Sequence, residues 1–188
     1  LGPEFRTANG RIVYEGHGIQ PDVKIEPEIL STITAHLYAK NMIFKYANKF
    51  YREHKSIPSP EEFVITDEIY DDFVKFVENQ DFEYTSESEK DFEELVKTAK
   101  KEGYYENIKS QLDVLEADLR SHKDKDLINN KKEISEILKL EIVGRYYFQK
   151  GKIRSTLKDD VELNRAVEIL LDSNGKNEYE TLLKGINN

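Results

Sequence analysis

The chain contains no cysteine. Disulfides, thiol nucleophiles and zinc–thiolate sites are therefore excluded, and a zero count suits an oxidising envelope compartment as well as it suits the cytosol. No apolar run approaches the ~20 residues that a membrane-spanning helix needs. Proline is missing after Pro60, whereas four of the nine glycines (Gly2, Gly10, Gly16, Gly18) and two of the five prolines (Pro3, Pro21) fall before residue 22. A short turn-rich segment is thus followed by a long, charged stretch compatible with helices.

What is present is a thin apolar supply beside abundant charge: 38% hydrophobic against 35% charged residues. That ratio fits helices with one buried stripe and a wide wet face. The net charge of −9 is concentrated, because residues 61–102 carry fifteen Asp/Glu and five Lys/Arg. An acidic segment repels phosphate, so nucleic acid is not expected as a partner. A solvated helix face accounts for this acidity better than a docking surface for a basic partner.

Residues 5–26 read as extended segments joined by turns, with Arg11–Tyr14 and Val23–Ile25 as strands. Asn9-Gly10 is a turn signal because both residues tolerate positive φ. Pro21 forces the residue before it to be extended. Two short strands make no stable sheet, so their partners lie elsewhere. From Pro27 an apolar stripe (Ile29, Ile33, Leu37, Ile43, Ala47, Phe50) predicts one helix through about His54. Thr66 caps a helix over Asp67–Asn79, and Ser86-Glu87-Ser88-Glu89 is a capping box for one running to Glu102, with Gly103 at its end. Tyr105, Ile108, Leu112, Leu115 and Leu119 step by three and four. With a helix over Leu127–Lys150 they suggest an antiparallel pair. Asp159-Asp160 opens a helix through Asp172, Ser173-Asn174-Gly175 turns, and a short helix runs to Lys184. No internal repeat is present. The fold class expected is mainly α: a multi-helix C-terminal domain with a short N-terminal β segment.

Catalytic patterns are missing. Gly-x-Ser-x-Gly does not occur, and the serines sit in loops and caps. His17, His36, His54 and His122 are far apart without metal-ligand spacing, so no metal and no cofactor are expected. Carboxylate pairs such as Asp71-Asp72 and Glu93-Glu94 carry little information in so acidic a chain. Gly16-His17-Gly18 lacks the Lys-Ser/Thr of a phosphate loop. The aromatic-basic run Arg145–Lys150, with Lys152 and Arg154, has a single-strand-binding composition. On a helix its residues point in different directions, and core packing explains it better.

One pattern is specific. T-x-N-G-R, a short apolar strand and then G-x-G-I-x-P-D (Thr7, Gly10, Arg11, Gly18, Ile19, Pro21, Asp22) resembles the carboxy-terminal processing peptidases, also called tail-specific proteases. Ala8 and Asn9 replace the commoner Pro-Ser. The tail segments F-K-Y-A at 44–47, E-E-F at 61–63, S-E-S-E-K at 86–90 and R-Y-Y-F-Q-K-G at 145–151 resemble the helical tail of an envelope branch of that family. The resemblance implies a serine nucleophile and a lysine base, both upstream of these motifs. No catalytic residue is therefore expected within this chain, and the seven motif residues are expected to be structural. Residues 1–4, which open on Leu1-Gly2-Pro3, are expected to be a cloning remnant; the resemblance further implies that residues 5–26 are the last strands of a peptidase core and residues 27–188 are a helical accessory domain. The chain, which begins at Leu1 and not at a methionine, then reads as a piece of a periplasmic or envelope serine endopeptidase, inactive alone. Its partner would be a polypeptide substrate reached through the parent core, with self-association left open and no membrane span in this stretch. The competing expectation is a stand-alone helical protein–protein interaction module. The orphan strands separate the two readings, because a free-standing module has no need of them.

Overall fold

A computed structural model describes residues 2–16, 18, 21–27, 29–123, 125–172 and 176–184. Among them the order is β1 (Glu4–Arg6), β2 (Ile12–Tyr14), α1 (Thr32–Ala39), α2 (Met42–Glu53), α3 (Asp67–Glu78), α4 (Glu87–Glu102), α5 (Tyr105–Lys123), α6 (Asp126–Asn129), α7 (Lys131–Thr156), α8 (Val161–Leu170) and α9 (Glu178–Lys184). The chain is mainly α with a two-stranded antiparallel hairpin at its N-terminus. It divides into two compact units, residues 29–155 and the described residues of 1–28 with 156–188.

In the 29–155 unit the first long helix is shorter than the stripe predicts, and it is broken. Helix α1 starts after Ser31, and Ile29 and Leu30 are exposed. Ser31 takes the cap because its hydroxyl accepts from the Thr34 N–H, leaving its own N–H and hydroxyl to donate to Glu133 at 2.9 and 3.0 Å. The break falls at Asn41, whose φ of 60° is left-handed and which separates α1 from α2. Asparagine tolerates that conformation better than most residues. The step from Leu37 to Met42-Ile43 is also too long for one 3.6-residue stripe, so both helices face the core only if the chain turns between them. Helix α3 follows its prediction, with the Thr66 hydroxyl accepting from the Ile69 N–H.

The core joins α1, α2, α3 and α7 with Phe63 and Tyr84, and Leu37, Ile43, Phe73, Ile134, Leu138 and Ile142 lose all exposure in it. Tyr46 meets Phe73 edge-on, with centroids 5.2 Å apart, a preferred aromatic geometry. The Tyr46 hydroxyl donates to the Ile69 carbonyl and to Asp72 at 3.0 and 2.9 Å. Burial and the neighbouring Asp72 push this phenol well above its usual pKa.

Helix α4 carries both halves of its capping box. Ser86 N–H donates to Glu89 at 2.7 Å, and Glu89 N–H donates to the Ser86 hydroxyl at 3.2 Å. Gly103, with φ +78°, ends the helix, and the Tyr104 N–H returns to the Ala99 carbonyl. This turn sets α5 back along α4, where Lys123 reaches Glu89 at 2.9 Å. The antiparallel partner of α5 is therefore α4, not the helix after residue 127. The expected seam is only partly covered: Leu112 is buried, Leu115 is exposed, and neither belongs to the core cluster.

The helix expected over Leu127–Lys150 divides at Asn130 into α6 and α7. Helix α7 then runs past Gly151 to Thr156, with one residue, Phe148, in a non-helical conformation (φ 57°, ψ −159°). The chain reverses there. Lys139 donates to the Ser155 carbonyl at 2.9 Å, and Lys152 bonds Glu141 at 2.8 Å. In a straight helix Lys139 and Ser155 would lie about 24 Å apart. Gly151 is buried in this corner: a Cβ there would meet Tyr147 and Val143, and one on Gly144 would meet the Lys152 side chain.

In the other unit β1 pairs antiparallel with β2, with Phe5 opposite Val13. The strand partner is thus Glu4–Arg6, and Val23–Ile25 forms no strand. A neighbouring segment across a short loop closes at lower entropic cost than one ten residues further along. Asp160 caps α8 through the Leu163 N–H at 2.8 Å, and Arg165 pairs with Glu178 between α8 and α9. The expected turn at Ser173-Asn174-Gly175 lies outside the described residues.

Candidate functional surface

The motif residues converge on the hairpin. The loop Ala8–Gly10 is closed by the Gly10 N–H donating to the Thr7 carbonyl and the Thr7 N–H donating to the Arg11 carbonyl, both at 2.9 Å. The Thr7 hydroxyl accepts from the Arg11 N–H at 3.2 Å. Gly10 has φ +82°, as this three-residue loop requires, whereas Asn9 keeps a negative φ. The Arg11 guanidinium pairs with the Asp22 carboxylate. This contact joins T-x-N-G-R to G-I-x-P-D, which the sequence could place only near each other. Gly18, between them in sequence, has a left-handed φ of +83°, and Pro21 is exposed. Ile19, with His17, lies outside the described residues.

All six strand residues of the hairpin are exposed. Alternation puts Phe5 and Val13 on one face and Ile12 and Tyr14 on the other. In β2 itself both faces are apolar, the pattern of a strand covered on two sides, whereas Glu4 and Arg6 of β1 share the face of Ile12 and Tyr14. A recess of about 300 Å³ lined by Asn9, Glu180, Leu183 and Lys184 brings no nucleophile and base together.

Polar clusters in the 29–155 unit fasten helices. Glu141 accepts from Arg145 at 2.6 Å and from Lys152 at 2.8 Å. Burial alone would raise the Glu141 pKa, but Lys152 and Arg145 outweigh it and hold the carboxyl below the usual range. Arg145 also donates to Asn48 at 3.0 Å and lies over the Phe44 ring. Arg145 and Tyr146 of the basic-aromatic run are thus spent on packing, as expected, whereas Phe148, expected in the core with Tyr146, is exposed because the chain leaves the helical conformation at that residue. Lys49 and Lys131 are held above the usual lysine range by Asp72 and Asp67, opposite to what a lysine base requires. Ser155 is buried and donates to the Lys152 carbonyl at 2.8 Å. His54 stacks on Phe50, and His36 lies against Tyr84. Among the described residues no group of His, Asp and Glu is placed to hold a metal, and no helix is long and apolar enough to cross a membrane.

Sequence reasoning missed the pairing of Glu4–Arg6 with β2 and the reversal at Phe148. The apolar Phe5 beside the loop was a signal for the first, and the small residues Gly144 and Gly151 were signals for the second. A family model described as "Probable PDZ-protease, C-terminal helical domain" matches residues 33–170, from within α1 to the last residue of α8. No curated protein and no solved structure matches the chain. The matched stretch holds the buried core and the α4–α5 pair and is well over half of the chain, which therefore belongs to the C-terminal helical domain family of PDZ-proteases.

Proposed function

We propose that the chain is the C-terminal region of a serine-type carboxy-terminal processing endopeptidase of the cell envelope. Residues 5–26 supply the terminal strands of the catalytic core, and residues 27–188 form the helical accessory domain. The serine nucleophile and lysine base come from upstream, and the polypeptide substrate is bound and cut in that core. The chain alone does not cleave.

The carrying observation is the Arg11–Asp22 pair, which ties both halves of the processing-peptidase motif to a hairpin whose second strand, β2, is apolar on both faces. Such a hairpin gains stability when further strands and a second layer cover it. The PDZ-protease helical domain that follows supplies the same context. In this reading the motif residues Thr7, Gly10, Arg11, Gly18, Ile19, Pro21 and Asp22 are structural.

The test is to read the native frame upstream of Phe5 and express the longer protein beside the 188-residue chain. Cleavage of an unfolded polypeptide is expected from the longer protein only, and is lost when its upstream serine is changed to alanine. A frame that opens with methionine near Phe5, or encodes no serine followed by a lysine, sinks the proposal and leaves a helical interaction module. So does a longer protein that cleaves nothing.

A further inference from the structure

Helix α7 has one interruption in its 26 residues, and nothing local explains it. Phe148 is not glycine, yet its φ is 57° with an extended ψ, a strained region that L residues rarely adopt. Its side chain is 76% exposed, so packing does not hold it there. What holds the reversal is the contact between the two limbs. Gly151 seats against Val143 and Tyr147, Lys152 crosses Gly144 to reach Glu141, and Lys139 takes the Ser155 carbonyl. Arg154 adds a pair with Glu61 at 2.5 Å.

We propose that Phe148 is a single-residue hinge through which the limb from Gln149 to Ser155 is exchanged between two copies of the chain. Rotation at Phe148 to helical φ and ψ would make Lys131–Thr156 one continuous helix and relieve the backbone strain. The vacated seat would keep Glu141 half-buried with Lys152 gone and Lys139 without its carbonyl. It calls for a residue without a Cβ facing Val143, an ammonium one position later and a carbonyl four positions later. The same limb of a second copy brings all three. Strained short hinges favour this kind of exchange, since the swapped and unswapped forms share every contact except those at the hinge. The proposal is independent of the peptidase reading.

The chain has no cysteine, so Lys132→Cys with Ile153→Cys gives a clean doubly spin-labelled protein. Size exclusion with light scattering separates monomer from dimer, and pulsed electron paramagnetic resonance reads the intrachain distance after dilution into unlabelled chain. In the monomer the limbs lie side by side, and the labelled backbones are roughly 15 Å apart; in a swapped dimer the straight helix separates them by about 32 Å. Phe148→Gly accepts positive φ and weakens a continuous helix, so the dimer fraction at fixed concentration should fall about tenfold, whereas Phe148→Ala, a better helix former with the same strain at positive φ, should raise it about two- to threefold. Far-UV circular dichroism confirms that both variants keep their helices. A chain that stays monomeric at every concentration overturns the proposal. So does a dimer with only the short distance, or a dimer indifferent to Phe148→Gly, because its interface then lies elsewhere.

Discussion

The buried cluster of α1, α2, α3 and α7 and the N-terminal hairpin are built from similar residues with opposite results. In the cluster Tyr46, Phe73 and Val143 lose nearly all contact with water. In the hairpin Phe5, Val13 and Tyr14 keep a third to a half of their surface wet. The strands are not worse in composition, since aromatic and β-branched side chains suit them. They lack a second layer, while the helices find theirs within the chain. Burial is where folding free energy comes from, so the helical cluster holds itself together, whereas the hairpin has little burial of its own to hold it.

The sharpest way to break that contrast is Phe73→Ala. Removing a ring of zero exposure should cost roughly 3–5 kcal/mol in urea unfolding, a major part of a small domain's stability. A loss under about 1 kcal/mol would mean that the cluster is loosely packed. Next is Glu141→Gln, which leaves Arg145 and Lys152 facing a neutral amide and should cost about 2 kcal/mol. Its sign with pH is fixed. The folded carboxyl is held below its ordinary pKa, so its contribution is complete above the glutamate range and is lost as pH falls through the depressed folded value. Stability measured down an acid series should therefore fall less steeply in Glu141→Gln than in the parent chain. Ser86→Ala removes one half of the capping box and should cost about 1 kcal/mol, read from the same denaturation. Smallest is Asp22→Ala. Losing the exposed Arg11 pair should shift the helical transition by no more than about 0.5 kcal/mol; a larger shift would show that the hairpin supports the helices after all.

The helices that declared themselves in sequence did so through local chemistry. Thr66, Ser86 and Asp160 cap where their side-chain oxygens predicted, and Gly103 stops α4. What was hidden depended on residues far away. Asn41 breaks a stripe that local spacing treats as continuous, and the break lets both α1 and α2 face the core they share with α3 and α7. Phe148 reverses α7 although its own side chain favours no such turn; Gly144 and Gly151, paired across the corner, make room for it. The seam on α5 was legible, but not its partner, because a three-four spacing says which face is apolar and not what covers it. At the hairpin the motif residues were legible one by one, while the Arg11–Asp22 contact required the loop to close first.

The α4–α5 turn has a consequence for the order of assembly. Gly103 brings two helices together across a few residues, so this pair can close as soon as both are made. The main cluster cannot. Arg145 meets Asn48 across 97 positions, and Ile134, Leu138 and Ile142 complete a core begun at Ile33. On the ribosome the apolar faces of α1, α2 and α3 that meet α7 therefore stay uncovered until α7 has emerged, about a hundred residues after the start of α1 and about fifty after the end of α3. Nascent chains stalled at residue 130 should be cut readily by a protease within α2 and α3, and chains long enough to release α7 should resist. Equal resistance at both lengths would show that α1 to α3 close without it.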